Sequence, residues 1–310
     1  SLEEFEDGWC NDVEKLSKVT ISPSNKNFKY LDDEHQIIVG KSDKTKDTFD
    51  TIVFASRDIK CIKIPKHIKY IKKCAFEDCE KLKSVDFEKE SELEIIGNYS
   101  FSSTSLKKIT IPKSVSEICE AAFMNCIELK SVTFEEGSKL VSINESLFEY
   151  SSKLKTVTIP ENSSLRSIHC NSFGNTGIKE LFIPASVEKI EDGWYENSKY
   201  FVNVVVSPLN KNFKYLDDEH KIIVGKSDIN QDIFDTIVFV SHDIIHVKIP
   251  SAIKFIYQYS FGYCNNLQDV EFSEDSELVS ISNHLFYSSS IKSLFIPASL
   301  EEFEDGWCNE

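Results

Sequence analysis

The stretch LKKITIPKSVSEICEAAFMNCIELKSVTF, Leu106–Phe134, holds one complete unit of a repeat and the first strand of the next. It opens with apolar Leu106, Ile109 and Ile111, at offsets 0, 3 and 5, followed by Pro112, Val115 and Ile118. Phe123 stands five residues after Ile118, and Cys126 and Leu129 close the unit and begin its successor. The Ile109–Ile111 alternation is the period-two pattern of a strand with one buried face. Pro112 ends ladder pairing on its own N–H side. The Ile118–Phe123 segment is too short for an ordinary helix and reads as a tight helical turn.

Working outward, the isoleucine–phenylalanine pair recurs as Ile71/Phe76, Ile96/Phe101, Ile143/Phe148, Ile168/Phe173, Ile256/Phe261 and Ile281/Phe286, with Ile190/Tyr195 as a conservative variant. From Phe76 to Phe173 the steps between successive phenylalanines are 25, 22, 25 and 25 residues. Two unit lengths alternate because the segment after the strand is either short and proline-bearing (IPKSV, IPASV) or longer and acidic (FEKESEL, FEEGSKL). Each unit starts on an L-x-x-V/I-x-F/I strand, as in Leu82/Val85/Phe87, Leu129/Val132/Phe134, Leu154/Val157/Ile159, Ile178/Leu181/Ile183, Leu267/Val270/Phe272 and Ile291/Leu294/Ile296. The small residue before each phenylalanine (Ala75, Ser100, Ala122, Ser172, Ser260) leaves room for close stacking of units. One unit has too few core side chains to offset the entropy of ordering its chain, so the array is the folding unit.

Ser22–Lys63 and Ser207–Lys248 break this rhythm and are close copies of each other. NKNFKYLDDEH occurs at Asn25–His35 and Asn210–His220, a displacement of 185 (210 minus 25), and IIVGKSD and FDTIVF recur at the same displacement. Each copy is expected to be a strand, a DDEH turn and two further strands, forming a hairpin that protrudes from one coil. SLEEFEDGWCN, Ser1–Asn11, returns at Ser299–Asn309, with SVEKIEDGWYEN at Ser186–Asn197 as a divergent copy. Residues 1–310 are therefore expected to be one solenoid, a fragment of a longer array.

Composition narrows the function classes. A formal net charge of −16 argues against nucleic acid, whose phosphates demand a basic face. No apolar run is long enough to span a membrane. The nine cysteines are odd in number and scattered through repeat slots without a CxxC pair, so neither a zinc site nor a disulfide framework is expected. Cys79, Cys126 and Cys264 each follow a repeat phenylalanine by three residues, and Cys10 and Cys308 replace one outright. No G-x-S-x-G, P-loop or H-E-x-x-H is present, and His242 and His246 lie in extended-looking sequence where their spacing does not converge on a metal. No catalytic residue, cofactor or metal is expected.

The consensus L-K-x-V/I-x-I/F-P-x-S-V-x-x-I-x-x-x-A/S-F-x-x-C resembles the BspA-type leucine-rich repeat, above all in BspA-like surface proteins of bacteria and trichomonad protists, the NKNFKYLDDEH-type insertion included. The resemblance covers nearly the whole chain. It implies a leucine-rich-repeat horseshoe or superhelix whose short parallel strands form a concave sheet. It also implies surface display or secretion and adhesion to a protein or glycoprotein of host cells, matrix or other microbes. The family offers no catalytic residues to transfer. Cytoplasmic scaffolding and end-to-end self-association are the rival expectations. Trp9-Cys10, Trp194-Tyr195 and Trp307-Cys308 depart from the small–Phe pair, and Tyr200–Val206 has a weak strand start.

The outward strand positions are the candidate binding residues: Lys108, Thr110, Ser131, Thr133, Thr156, Thr158, Glu180, Phe182, Val205 and Phe295. Beside them runs a lysine row, Lys83, Lys107, Lys130, Lys155, Lys179 and Lys292. A wide, regularly patterned face suits a large partner, with Phe182, Val205 and Phe295 as apolar anchors. Solvated Ser, Thr and Lys on a strand face are the bland alternative. The DDEH turns are a rival cation surface, although their spacing matches no calcium loop. Asn98, Asn144 and Asn162 begin N-x-S/T triplets, and Asn162 alone lies outside an Ile–Phe turn.

Overall fold

The computed structural model describes residues 5, 6, 8–11, 13–304, 306 and 307. Cys308 and Ser1–Glu4, named above, lie outside them. The chain winds into stacked coils, each giving one short strand to each of two parallel rows. The first row is the L-x-x-V-x-F set: Cys61–Ile64, Ser84–Phe87, Lys108–Ile111, Ser131–Phe134, Thr156–Thr158, Glu180–Ile183 and Asn203–Val206, resumed by His246–Ile249 and Asp269–Phe272. Pairing is parallel and in register, with Val132 opposite Ile109 on one side and Val157 on the other. Those side chains are buried while their neighbours face out, as the period-two pattern requires. The weak start at Tyr200–Val206 is resolved by Phe201, which is fully buried in the slot that leucine takes elsewhere.

The second row consists of two-residue strands that include the repeat isoleucine, such as Ile95–Ile96, Glu117–Ile118 and Ser142–Ile143. The turn that follows is not helical, and no helix occurs among the described residues. The reason lies in its hydrogen bonds. Phe101 N donates to Ala122 O, Phe123 N to Leu147 O, Phe148 N to Ser172 O and Phe173 N to Trp194 O, at 2.9–3.0 Å. These N–H groups serve the next coil instead of a carbonyl one turn back. Left-handed residues in pairs four apart, such as Ala121/Asn125 and Ser146/Tyr150, aim them outward. The EDGW glycines Gly8, Gly193 and Gly306 fill the first of these slots with φ of 78°, 70° and 75°.

Behind the turns the phenylalanines form a continuous stack. Centroids of Phe76, Phe101, Phe123, Phe148 and Phe173 are separated in turn by 4.8, 5.3, 5.9 and 5.7 Å, and every ring is fully buried. Trp194 meets the end of this stack edge-on. Cys79, Cys126 and Cys264 are buried and unpaired, as are Cys10 and Cys74.

The hairpins depart from expectation. In each copy the three strands form an antiparallel meander, Phe28–Tyr30, Ile37–Gly40 and Thr51–Ala55 in the first, Phe213–Tyr215, Ile222–Gly225 and Thr236–Val240 in the second. The last strand pairs parallel with the second row, Ile52 opposite Ile71 and Ile237 opposite Ile256. All residues of the inner two strands are buried. The meander is therefore an internal layer rather than a protrusion, because apolar residues on both of its faces meet coils. Ile223, Val238 and Phe239 pack with the preceding coils, while Ile222, Val224, Ile237 and Val240 pack with the following ones. What reaches solvent is the turns. There His35 stacks on Tyr30 and His220 on Tyr215 at 4.0 Å, while Asp32 and Asp217 accept backbone N–H bonds that close each turn.

Candidate recognition surface

The outer face of the first strand row carries two columns of side chains in register. Lys108, Ser131 and Thr156 stand in one, and Thr110, Thr133 and Thr158 in the other. The ladder breaks after Thr156–Thr158 and resumes at Glu180–Ile183, where Glu180 stands opposite Asn203 and Phe182 opposite Val205. Lys108, Thr110, Thr156, Thr158, Glu180 and Val205 are exposed, while Ser131, Thr133 and Phe182 are half-buried. Nine of the ten expected residues therefore share one face. Phe295 does not join them: Ile291–Ile296 runs without ladder pairing, and Phe295 and Ile296 are 59% and 42% exposed. The apolar pattern is present there, but a strand also needs a neighbour to share its backbone bonds with.

The face is grooved. A cavity of about 990 Å³ lies over the coils at Lys83–Ser91, Lys107–Thr110 and Lys130–Ser131. Among its acidic lining residues Glu88 accepts Lys66 N at 3.1 Å and Glu135 accepts Lys113 N at 2.9 Å, and Asp86, Glu90 and Glu136 line it as well. Two members of the flanking row escaped the sequence reading. Lys83 N donates to Lys60 O and Val202 N to Lys179 O, so Lys60 precedes the lysine row and Val202 follows it. Register through the backbone reveals both, since Lys60 and Val202 each follow a first-slot residue, Ile59 and Phe201, that is not leucine.

Burial pushes the thiols of Cys79 and Cys264 up to about 12 and those of Cys119 and Cys126 to about 11, far from the thiolate a nucleophile needs. Among the described residues no cluster of His, Cys, Asp and Glu is placed to hold a metal ion. Of the N-x-S/T asparagines, Asn144 Nδ2 donates to Ile118 O, whereas Asn162 is exposed on a turn and its Oδ1 accepts Gly137 N.

Six copies of the family described as "BspA type Leucine rich repeat region" match residues 47–162, 88–202 and 227–308. The chain belongs to this family. Among solved structures, a leucine-rich cell surface protein from Faecalibacterium prausnitzii A2-165 is similar at 18% identity and a TM-score of 0.59, covering 94% of this chain and 86% of that one. The pneumococcal vaccine antigen PcpA is similar at 21% identity and a TM-score of 0.54, over 84% of this chain and 60% of PcpA. At these identities the likeness is one of fold. No curated protein sequence matches. As a BspA-type leucine-rich repeat, the chain is a repeat module of the protein-interaction kind, and no helix of the described residues is long and apolar enough to cross a membrane.

Proposed function

We propose that this repeat is a non-catalytic recognition module of a cell-surface or secreted adhesin, binding a protein or glycoprotein of a host cell, matrix or another microbe. The observation that carries this reading is the grooved outward strand face, in register from Lys108/Thr110 to Thr156/Thr158 and again from Glu180/Phe182 to Asn203/Val205. Uniform spacing over several coils suits a large surface better than a small molecule. The names of the two similar structures, a cell surface protein and a vaccine antigen, support surface display. The test is adhesion of cells displaying the whole protein, after external protease treatment has shown that the repeat is accessible. Thr133→Arg with Thr158→Arg is expected to abolish adhesion while circular dichroism stays unchanged. Adhesion unaffected by both substitutions overturns the reading.

A second reading, an intracellular scaffold using the same face, is favoured by one observation: all eight described cysteines are free. A leader peptide in the complete gene would count against it.

A further inference from the structure

The lysine row and the Thr110–Thr158 column beside it both turn apolar toward the later coils. Lys60, Lys83, Lys107, Lys130, Lys155 and Lys179 occupy one slot on six successive coils, and all six are exposed. Backbone bonds from Lys83 N to Lys60 O at 2.9 Å, Lys130 N to Lys107 O at 2.8 Å and Lys155 N to Lys130 O at 3.1 Å fix three of the five steps along the row. Each bonded step is about 4.8 Å, the spacing of paired strands. None of these lysines is in an ion pair, whereas lysines two residues before the slot are: Lys81 with Asp58 at 2.6 Å and Lys153 with Glu128 at 2.5 Å. Of the acids lining the adjoining groove, Glu88 and Glu135 accept backbone N–H bonds, and Asp86, Glu90 and Glu136 stand beside them. The slot itself is thus a row of cations outside any ion pair, within a chain of net charge −16. The outward column passes from Thr158 to Phe182 at the sixth coil and to Val205 at the seventh, where the slot passes to Val202, 42% exposed, while Glu180 and Asn203 keep the other column polar. A cationic rail thus runs into an apolar end.

We infer that the rail binds an extended acidic segment of a protein, with apolar side chains at one end seated on Phe182, Val202 and Val205. This deepens the recognition reading above and rests on it. Carboxylates on an extended chain recur on one side at about 6.6 Å, out of step with coils about 4.8 Å apart. Flexible lysine stems tolerate that mismatch, where the fixed fork of arginine would not. The apolar end distinguishes this ligand from a sulfated polysaccharide, which has nothing to place there. The rail also lacks the aromatic platforms on which single-stranded nucleic acid stacks. Each exposed contact is weak, and affinity arises from linking many of them.

The test is fluorescence anisotropy of the full chain with a labelled peptide, a run of glutamates followed by two leucines, at low salt. The peptide is expected to bind, and K83E/K107E/K130E to weaken it by about tenfold or more, as does raised salt. V202S/V205S is expected to weaken it several-fold, and to leave a peptide without the leucines unaffected. Where charge reversal lowers the melting temperature, K83Q/K107Q/K130Q replaces it and should weaken binding in the same direction. Absence of peptide binding overturns the inference, as does tighter binding of heparin or an oligothymidylate through the same lysines. If the peptide fails while Thr133→Arg and Thr158→Arg still abolish adhesion, the acidic ligand falls and the recognition face stands.

Discussion

The two hairpin layers, Ser22–Lys63 and Ser207–Lys248, are close copies of one sequence, yet they are finished differently. In the second, the covering coil is complete: Asn203–Val206 pairs with Glu180–Ile183, and Trp194, Tyr195 and Phe201 close over Phe239 at 6.5, 5.6 and 5.0 Å. In the first, residues 13–21 make matching contacts without being a strand. Tyr30 Oη donates to Val19 O and Ser56 Oγ to Ser17 O, just as Tyr215 Oη donates to Val204 O and Ser241 Oγ to Val202 O. The tyrosine and serine contacts are thus encoded locally, while the strand requires a coil on its far side. Beneath the layer the copies differ again. Cys10, Arg57 and Cys74 occupy the places of Tyr195, His242 and Tyr259, each shifted by 185.

The largest expected effect separates the two aromatic closures. Phe239→Ala removes a ring packed against three others and is expected to cost about 3–5 kcal/mol, read by urea denaturation. Phe54 has Trp9 at 5.6 Å and the Arg57 guanidinium at 5.5 Å as its ring partners. Phe54→Ala should cost less by about 1 kcal/mol. Equal losses would show that the covering coil does not contribute what its rings suggest.

Much of this was legible in the chain. The Phe76–Phe173 stack, the L-x-x-V-x-F strands and the 185-residue copy all follow from apolar spacing, because each coil repeats one local pattern. Three things were not. The turn before each phenylalanine looks helical because its N–H partners lie a whole coil away, outside any local window. The hairpins look protruding because both of their covers come from remote segments. The recognition face reads from the sequence as columns from Lys108 to Val205 and Phe295 beside a lysine row, but two members of that row, Lys60 and Val202, appear only through backbone register. Phe295 shows the converse error, a pattern present where no paired strand forms.

A pH titration is the next way to divide the copies, since the place of Arg57 is taken in the second copy by the imidazole of His242. Burial, partly offset by Lys199 O and Asp243, holds the His242 imidazole down to about 4. The unfolded chain therefore takes up a proton below about 6.5 that the folded chain refuses. Its contribution is whole above that pH and is lost as pH falls toward 4, up to about 3 kcal/mol. Asp192 opposes it. Burial, against N–H bonds from Gln258 and Gly193, pushes its carboxyl up to about 6. The folded chain then holds a proton that the unfolded chain releases, so stability recovers as pH falls from about 6. Asp192→Asn is expected to expose the histidine loss, with a melting temperature that drops between pH 6.5 and 4. His242→Asn should show the opposite trend, and the native chain should change less than either.

The smallest effect asks whether the exchange between copies is one change or several. In the first copy Arg57 Nη2 donates to Cys10 O at 3.1 Å, and Nη1 to Ala55 O at 3.1 Å and Ala75 O at 3.4 Å. A buried guanidinium there is held by carbonyl oxygens and shares its space with a small thiol. In the second copy a smaller imidazole, bonded through Nδ1 to Lys199 O at 3.3 Å, lies beside the larger Tyr195 ring at 6.3 Å. Volume lost at one position is regained at the other. Cys10→Tyr alone should overpack the site against Arg57, and Arg57→His alone should leave carbonyls without donors. Combined, the two are expected to cost less than their sum by about 1–2 kcal/mol in a double-mutant cycle followed by urea denaturation. Strict additivity would mean that the two positions do not share a cavity, and that Cys74 rather than Cys10 is the true counterpart of the exchange.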